Sequence, residues 1–179
     1  MEVEKLSLES LNRISKEDFK AIKKLDYYIV TDNIRSGQNI GSIFRSADAF
    51  AANKIYLTGI SPIPPNKEVL KTALGASETV EWSKYEDNAS LIGYLKDNDI
   101  KIIVVEQTTN SVLLQDFKPK PSEKYALILG NEVDGVSMDF IKNADLCVEI
   151  PQVGTKHSLN VSVCAGILMW HMYDALKST

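Results

Sequence analysis

Glu149-Ile-Pro-Gln-Val-Gly-Thr-Lys-His-Ser-Leu-Asn-Val-Ser-Val-Cys-Ala-Gly-Ile-Leu-Met-Trp-His171 is the stretch on which the fold turns. It begins as the tail of an apolar run, residues 146–150, that reads as a strand. Pro151 removes a backbone donor and fixes φ, which ends ladder pairing there. Gly154 permits a bend through positive φ. Ser158 or Asn160 can cap the helix that follows. From Leu159 onward, Val161, Val163, Ile167, Leu168, Trp170 and Met172 make that helix apolar nearly all round, and Ala165 and Gly166 let a second backbone approach closely. Such a helix must be buried, in the core or against another subunit. The polar loop 152–160 is therefore held between two buried elements, an arrangement that binding and chemistry favour.

Working outward, strand and helix alternate through the rest of the chain. Residues 27–31, 54–58, 79–82, 100–105 and 125–129 read as strands, and the β-branched run at 100–105 suits a strand buried on both faces. Helices are expected over 40–50 with Asn39 as N-cap, over 68–74, from a Ser83 cap to about residue 97, and over 137–143. One or two short helices are expected within 7–25, with Ser15 as a cap and Phe19, Ile22 and Leu25 on one face. This alternation implies an α/β class, a mostly parallel sheet with helices on both faces. Residues 1–25 read as a short helical N-terminal extension and 26–179 as one domain.

A chain of 179 residues suits one sizeable domain. Its 24 acidic and 20 basic residues give a net charge of −4, which argues against indiscriminate coating of nucleic acid. A local basic patch is still compatible with that balance. Arg13, Lys16, Lys20, Lys23, Lys24, Arg35 and Arg45 gather near the start, where the plainer reading of the lysines is a solvated helix face. No apolar run reaches a membrane span, and the charged start lacks the core of a signal peptide, so no membrane association is expected. Cys147 and Cys164 lie within apolar patterns and read as packing residues of a reducing cytoplasm. His157 and His171 lack partners at ligand spacing, and no metal is expected.

Three polar, glycine-containing loops follow the carboxyl ends of strands: Asn33 to Arg45, Gly130 to Gly135, and Gln152 to Asn160. Open α/β sheets place ligands at that edge. Gly37 and Gly41 are not followed by Lys-Ser/Thr, and no G-x-G-x-x-G follows a strand, which argues against a Walker-type loop and a dinucleotide enzyme. Taken singly, each polar residue has a structural explanation. Arg45 can snorkel over packed neighbours, Asn39, Ser158 and Asn160 can cap helices, and Glu132 can be a solvated loop carboxylate.

Taken together, the loops resemble the three signature motifs of the SpoU/TrmH family of RNA ribose 2'-O-methyltransferases, within the SPOUT superfamily. The first is Asn33-Ile-Arg-Ser-Gly-Gln-Asn-Ile-Gly-Ser-Ile-Phe-Arg-Ser-Ala-Asp-Ala-Phe50, the second Leu129-Gly-Asn-Glu-Val-Asp-Gly135, and the third Ile150-Pro-Gln-Val-Gly-Thr-Lys-His-Ser-Leu-Asn-Val-Ser162. They stand in the family's order and spacing over roughly residues 26–176. Ala51, Asn131 and Val133 depart from the usual pattern.

The resemblance implies a sheet whose carboxyl end is threaded into a deep trefoil knot, which ordinary chain topology would not suggest. It implies S-adenosylmethionine as cofactor, held at Thr108, Gly130, Ile150, Ser158 and Leu159, and a homodimer packed knot against knot, with the site shared between subunits. It assigns the chemistry to Arg45, Asn39, Glu132, Ser158 and Asn160, and RNA contact to Arg35 and Arg45. Glu149-Ile-Pro-Gln and Val105-Glu-Gln-Thr108 look most like the branch acting on tRNA, with ribosomal RNA as the alternative. A non-catalytic RNA-binding relative would have lost the arginine or the Ser-Leu-Asn run, and both are intact.

Overall fold

Alternation along β1 (Leu25–Asp32) divides the molecule into two cores. Tyr27 and Ile29 enter the core on one face of the sheet, and Val30 enters the other, as the two-residue period of a strand requires. The computed structural model describes residues 3, 5–7, 14–156 and 158–177. Arg13, His157 and any helix within residues 8–13 lie outside the described residues.

Among the described residues, β1 is joined by β2 (Ala52–Thr58), β3 (Glu81–Tyr85), β4 (Ile100–Val105), β5 (Val112–Leu113), β6 (Lys124–Leu129) and β7 (Leu146–Glu149). The sheet order is β3-β2-β1-β6-β4-β7-β5, with every pairing parallel. The helices are α1 (Lys16–Ala21), α2 (Gly37–Ala49), α3 (Lys67–Ala73), α4 (Asn88–Asp97), α5 (Met138–Lys142) and α6 (Val161–Leu176). Ile40, Ile43, Phe44 and Ala47 of α2, Val69 of α3 and Leu168, Met169 and Met172 of α6 fill one core. Leu91 and Leu95 of α4 and Phe140 of α5 fill the other. The α/β class with helices on both faces is thus the observed one. Because all strands run the same way, their carboxyl ends share one edge, and the three polar loops emerge there.

Several boundaries differ from the sequence reading. Ser36, rather than Asn39, caps α2: its hydroxyl accepts the Asn39 N–H at 3.2 Å, so the helix starts at Gly37 and the Asn39 side chain is left to point elsewhere. Ser83 lies inside β3, whose pairing with β2 continues to Tyr85, and Asp87 caps α4 instead. Leu25 belongs to β1, not to a helix face. Of the two candidate caps for α6, Asn160 takes the role, accepting the Ser162 N–H at 2.9 Å. The two-residue β5 has no periodicity that a sequence could display.

β7 lies between β4 and β5 in the sheet, and β5 belongs to the connection that leaves β4 and returns to β6. From there the chain re-enters the core at α6, where the His171 ring contacts the Phe117 carbonyl of that same connection at 2.8 Å. Among the described residues, no helix is long and apolar enough to cross a membrane.

Candidate active site

The Glu132 carboxylate is the acceptor around which the first loop is arranged. It takes the N–H of Arg35 at 3.1 Å, the N–H of Ser36 at 3.3 Å and the side-chain amide of Asn39 at 2.9 Å. These donors surround the amino end of α2, where unpaired N–H groups and the helix dipole favour a negative charge. Burial pushes the Glu132 pKa up, but the Arg35 N–H and the Asn39 amide, with further backbone donors, outweigh it and hold the group below its ordinary value. Asn39 then accepts the Asn160 amide at 3.1 Å. One relay of Glu132, Asn39 and Asn160 therefore joins all three loops.

Beside this relay lies a cavity of about 570 Å³ beyond the ends of β4, β6 and β7. Val105, Leu129, Val148, Ile150 and Leu159 supply apolar walls, and Gly130, Ser158 and Asn160 also line it. Glu106, Glu132, Asp134 and Glu149 contribute carboxylates, and neither lysine nor arginine lines it among the described residues. A concave space whose lining is shared about equally between apolar walls and polar groups suits a small organic ligand with both characters, and the carboxylates suit one carrying positive charge. Cys164 also lines the cavity, and burial pushes its thiol up to about 12, so it is a packing thiol rather than a nucleophile.

The second loop is rigid for identifiable reasons. Asn131 and Gly135 exchange backbone hydrogen bonds at 3.0 Å, and Asn131 Oδ1 accepts the N–H groups of Val133 and Asp134 at 2.8 and 3.1 Å. The Asn131 amide reaches back to the Asn33 carbonyl at 2.7 Å. At Gly130 a Cβ would come within 2.3 Å of the Gly135 carbonyl carbon and the Val136 nitrogen, so only glycine allows the strand to close against its own turn. Glu106 Oε2 accepts the Val136 N–H at 3.1 Å. The buried Asp32 carboxylate accepts the Ser137 N–H at 2.7 Å and the amides of Asn33 and Asn88 at 2.9 and 3.1 Å. Sequence reading missed Asp32 and the supporting role of Glu106. Their signal, a carboxylate at the carboxyl end of an apolar strand, is real but common.

The structure brings Gly130, Ile150, Ser158, Leu159, Asn160 and Glu132 to the cavity. Asn39 reaches it through its two side-chain partners. Thr108 lies in the next turn, where its N–H and carbonyl meet the Ser111 hydroxyl, and it is not among the cavity-lining residues. Arg35 is exposed beside the second loop, 3.8 Å from Asp134. Arg45 is exposed on α2 and lines a different cleft. Within one protomer, then, the expected arginine stands apart from the cavity.

The model of the SpoU rRNA Methylase family matches residues 26–170. The chain belongs to that family. An uncharacterized tRNA/rRNA methyltransferase of Borreliella burgdorferi is 33% identical over 90% of this chain and 69% of its own length. A 23S rRNA (guanosine-2'-O-)-methyltransferase of Neisseria meningitidis serogroup B is 30% identical over 89% of this chain. This SpoU-family chain spans 63% of that relative's length. Among solved structures, an AdoMet-bound rRNA methyltransferase from Sinorhizobium meliloti superposes with a TM-score of 0.79 at 24% identity, covering 89% of this chain and 61% of that one. A TrmH/SpoU tRNA modifying enzyme from A. aeolicus gives 0.76 at 22% identity, covering 92% and 88%. These likenesses establish the fold.

Proposed function

We propose that this SpoU-family chain transfers a methyl group from S-adenosylmethionine to a ribose 2'-hydroxyl of RNA, with tRNA as the favoured substrate. The observation that carries the reading is the convergence of Gly130, Ile150, Ser158 and Leu159 on one cavity whose charged lining, among the described residues, is acidic. Apolar walls fit an adenosine moiety, and Glu106 and Glu149 fit the positive charges of a sulfonium amino acid. When bound, S-adenosylmethionine supplies a methyl carbon already activated on sulfur.

The protein's task is then to orient the hydroxyl and lower the cost of losing its proton. An arginine is a poor base because it stays protonated, so Arg45 serves as a phosphate-binding cation that stabilises the developing alkoxide. Glu132, Asn39 and Asn160 are positioning residues that hold the loops in one geometry. Arg45 lines a cleft other than the cavity of its own protomer, and a homodimer in which it serves the partner's site completes the arrangement. Val163, Ile167 and Trp170 of α6 are 52%, 37% and 53% exposed in the single chain, an apolar face for such a partner. Both cysteines are free, which accords with action in the cytoplasm.

The test is nucleoside mass spectrometry of total RNA from cells with and without the gene. Loss of one 2'-O-methylnucleoside from the tRNA fraction is expected. Loss from ribosomal RNA would move the substrate, and an unchanged ribose methylation profile would refute the reading.

A further inference from the structure

Arg45 does not stand alone on its surface. It opens onto a cleft of about 350 Å³ between α2 and α3, lined by Ser42, Arg45, Ser46, Lys71, Thr72 and Leu74. The lining holds two cations and three hydroxyls, with no carboxylate. Among the described residues, neither Arg45 nor Lys71 takes part in an ion pair. Two unneutralised cations on an acidic protein are a local exception to its overall charge, which is −4.

The cleft is held open by close packing beneath it. At Gly41 a Cβ would lie 2.1 Å from Thr72 Oγ1 and 2.3 Å from the Val69 carbonyl oxygen, so α2 and α3 approach at a distance only glycine allows. The Thr72 hydroxyl ties the helices further by donating to the Gln38 carbonyl at 2.9 Å. Lys71 is therefore carried on a helix whose position relative to Arg45 is set by backbone contact. The Ser42 and Thr72 hydroxyls are both donated to the Gln38 carbonyl, which leaves Arg45, Lys71 and the Ser46 hydroxyl as the groups of the kind that position a nucleic-acid backbone.

We infer that this cleft is a phosphodiester subsite for substrate RNA, with Lys71 binding a backbone phosphate next to the one held by Arg45. The inference rests on the RNA methyltransferase reading and adds a binding residue to it. Lys71 touches no atom of the cavity and is assigned no part in the methyl transfer.

The test uses the full chain, S-adenosylmethionine, and tRNA and rRNA fractions from cells lacking the gene. RNA affinity is measured for wild type, Lys71→Ala, Lys71→Arg and the bystander Lys96→Ala over a range of salt concentrations. Losing one phosphate contact is expected to weaken binding about tenfold near 0.1 M salt and to reduce the salt slope by about one. Lys71→Arg should retain most of the affinity, Lys96→Ala all of it, and calorimetric cofactor binding should be the same in all four proteins. Wild-type affinity and slope in Lys71→Ala would overturn the subsite while leaving the methyltransferase reading intact. A wild-type protein that binds and methylates neither fraction would overturn that reading first. Inorganic phosphate at matched ionic strength should compete weakly with RNA, and equal competition in Lys71→Ala would also count against the subsite.

Discussion

Asn160 and Asn39, separated by 121 positions in sequence, meet through a single amide-to-amide hydrogen bond of 3.1 Å. Asn160 also caps α6, and Asn39 also donates to Glu132. The bond thus couples the amino ends of two helices to the turn after β6. Replacing Asn160 by serine or aspartate would keep a cap for α6 but lose the amide donor to Asn39, and replacing Asn39 by aspartate would lose the donor to Glu132.

Removing the shared acceptor should loosen the site more than it unfolds the protein. Glu132→Ala strips the Arg35 and Ser36 N–H groups and the Asn39 amide of their acceptor, but these lie at the surface, where water can replace it. A loss of about 1 kcal/mol in denaturant unfolding is expected, comparable to loss of a helix cap. Methyl transfer to RNA should fall at least tenfold, since small misplacements of reacting groups are costly. A large stability loss with normal turnover would contradict the positioning role.

The same carboxylate should leave a signature in acid. Its folded-state pKa is held below the ordinary value, so its stabilisation is complete above the unfolded pKa of about 4.3 and is lost as pH falls through the lower folded value. The stability difference between wild type and Glu132→Gln should be flat from pH 7 to 5 and shrink below about pH 4. Chemical unfolding across that range reads the difference directly.

Gly130→Ala places a methyl group 2.3 Å from backbone atoms of Gly135 and Val136, where no side chain can give way. The turn must shift, at a cost of about 1–3 kcal/mol. Because Gly130 lines the cavity, calorimetry with S-adenosylmethionine should show affinity reduced by more than the stability loss would suggest.

Arg45→Ala should have the opposite profile. The side chain is exposed and remote from the cavity, so stability should change by less than about 0.5 kcal/mol and cofactor affinity should be retained. Methyl transfer should be abolished. Loss of cofactor binding would instead mean that Arg45 holds the cofactor rather than the RNA.

The exposed face of α6 offers a test of assembly. A homodimer should sediment at twice the 19.9 kDa chain mass. Ile167→Glu with Trp170→Glu places two charges on that face and should give monomers that lose RNA methylation, as a shared site requires. A monomeric wild type that remains active would exclude the shared site.

Most of the frame was legible because it depends on local pattern. The runs in β4 and β6 are apolar but for the exposed Lys101 and Lys124, and the periodicity of α2 shows which of its residues enter the core. Asp87 and Ser36 were missed as caps because serine, aspartate and asparagine are chemically interchangeable there, and only the end of strand pairing or the start of the helix selects among them. Asp32 was missed because a carboxylate at a strand end announces nothing until its three donors are folded around it.

The sequence by itself determined the class of fold, the edge of the sheet where ligands gather, and the three motifs whose order marks the family. Those properties reside in periodicity and in short contiguous patterns. Only the tertiary structure decided that Asn39 is a bridge rather than a cap, that Thr108 stands off the cavity, and that Arg45 shares its cleft with Lys71. Each of these depends on distances between segments far apart in the chain, which close packing of backbones sets and no linear pattern encodes.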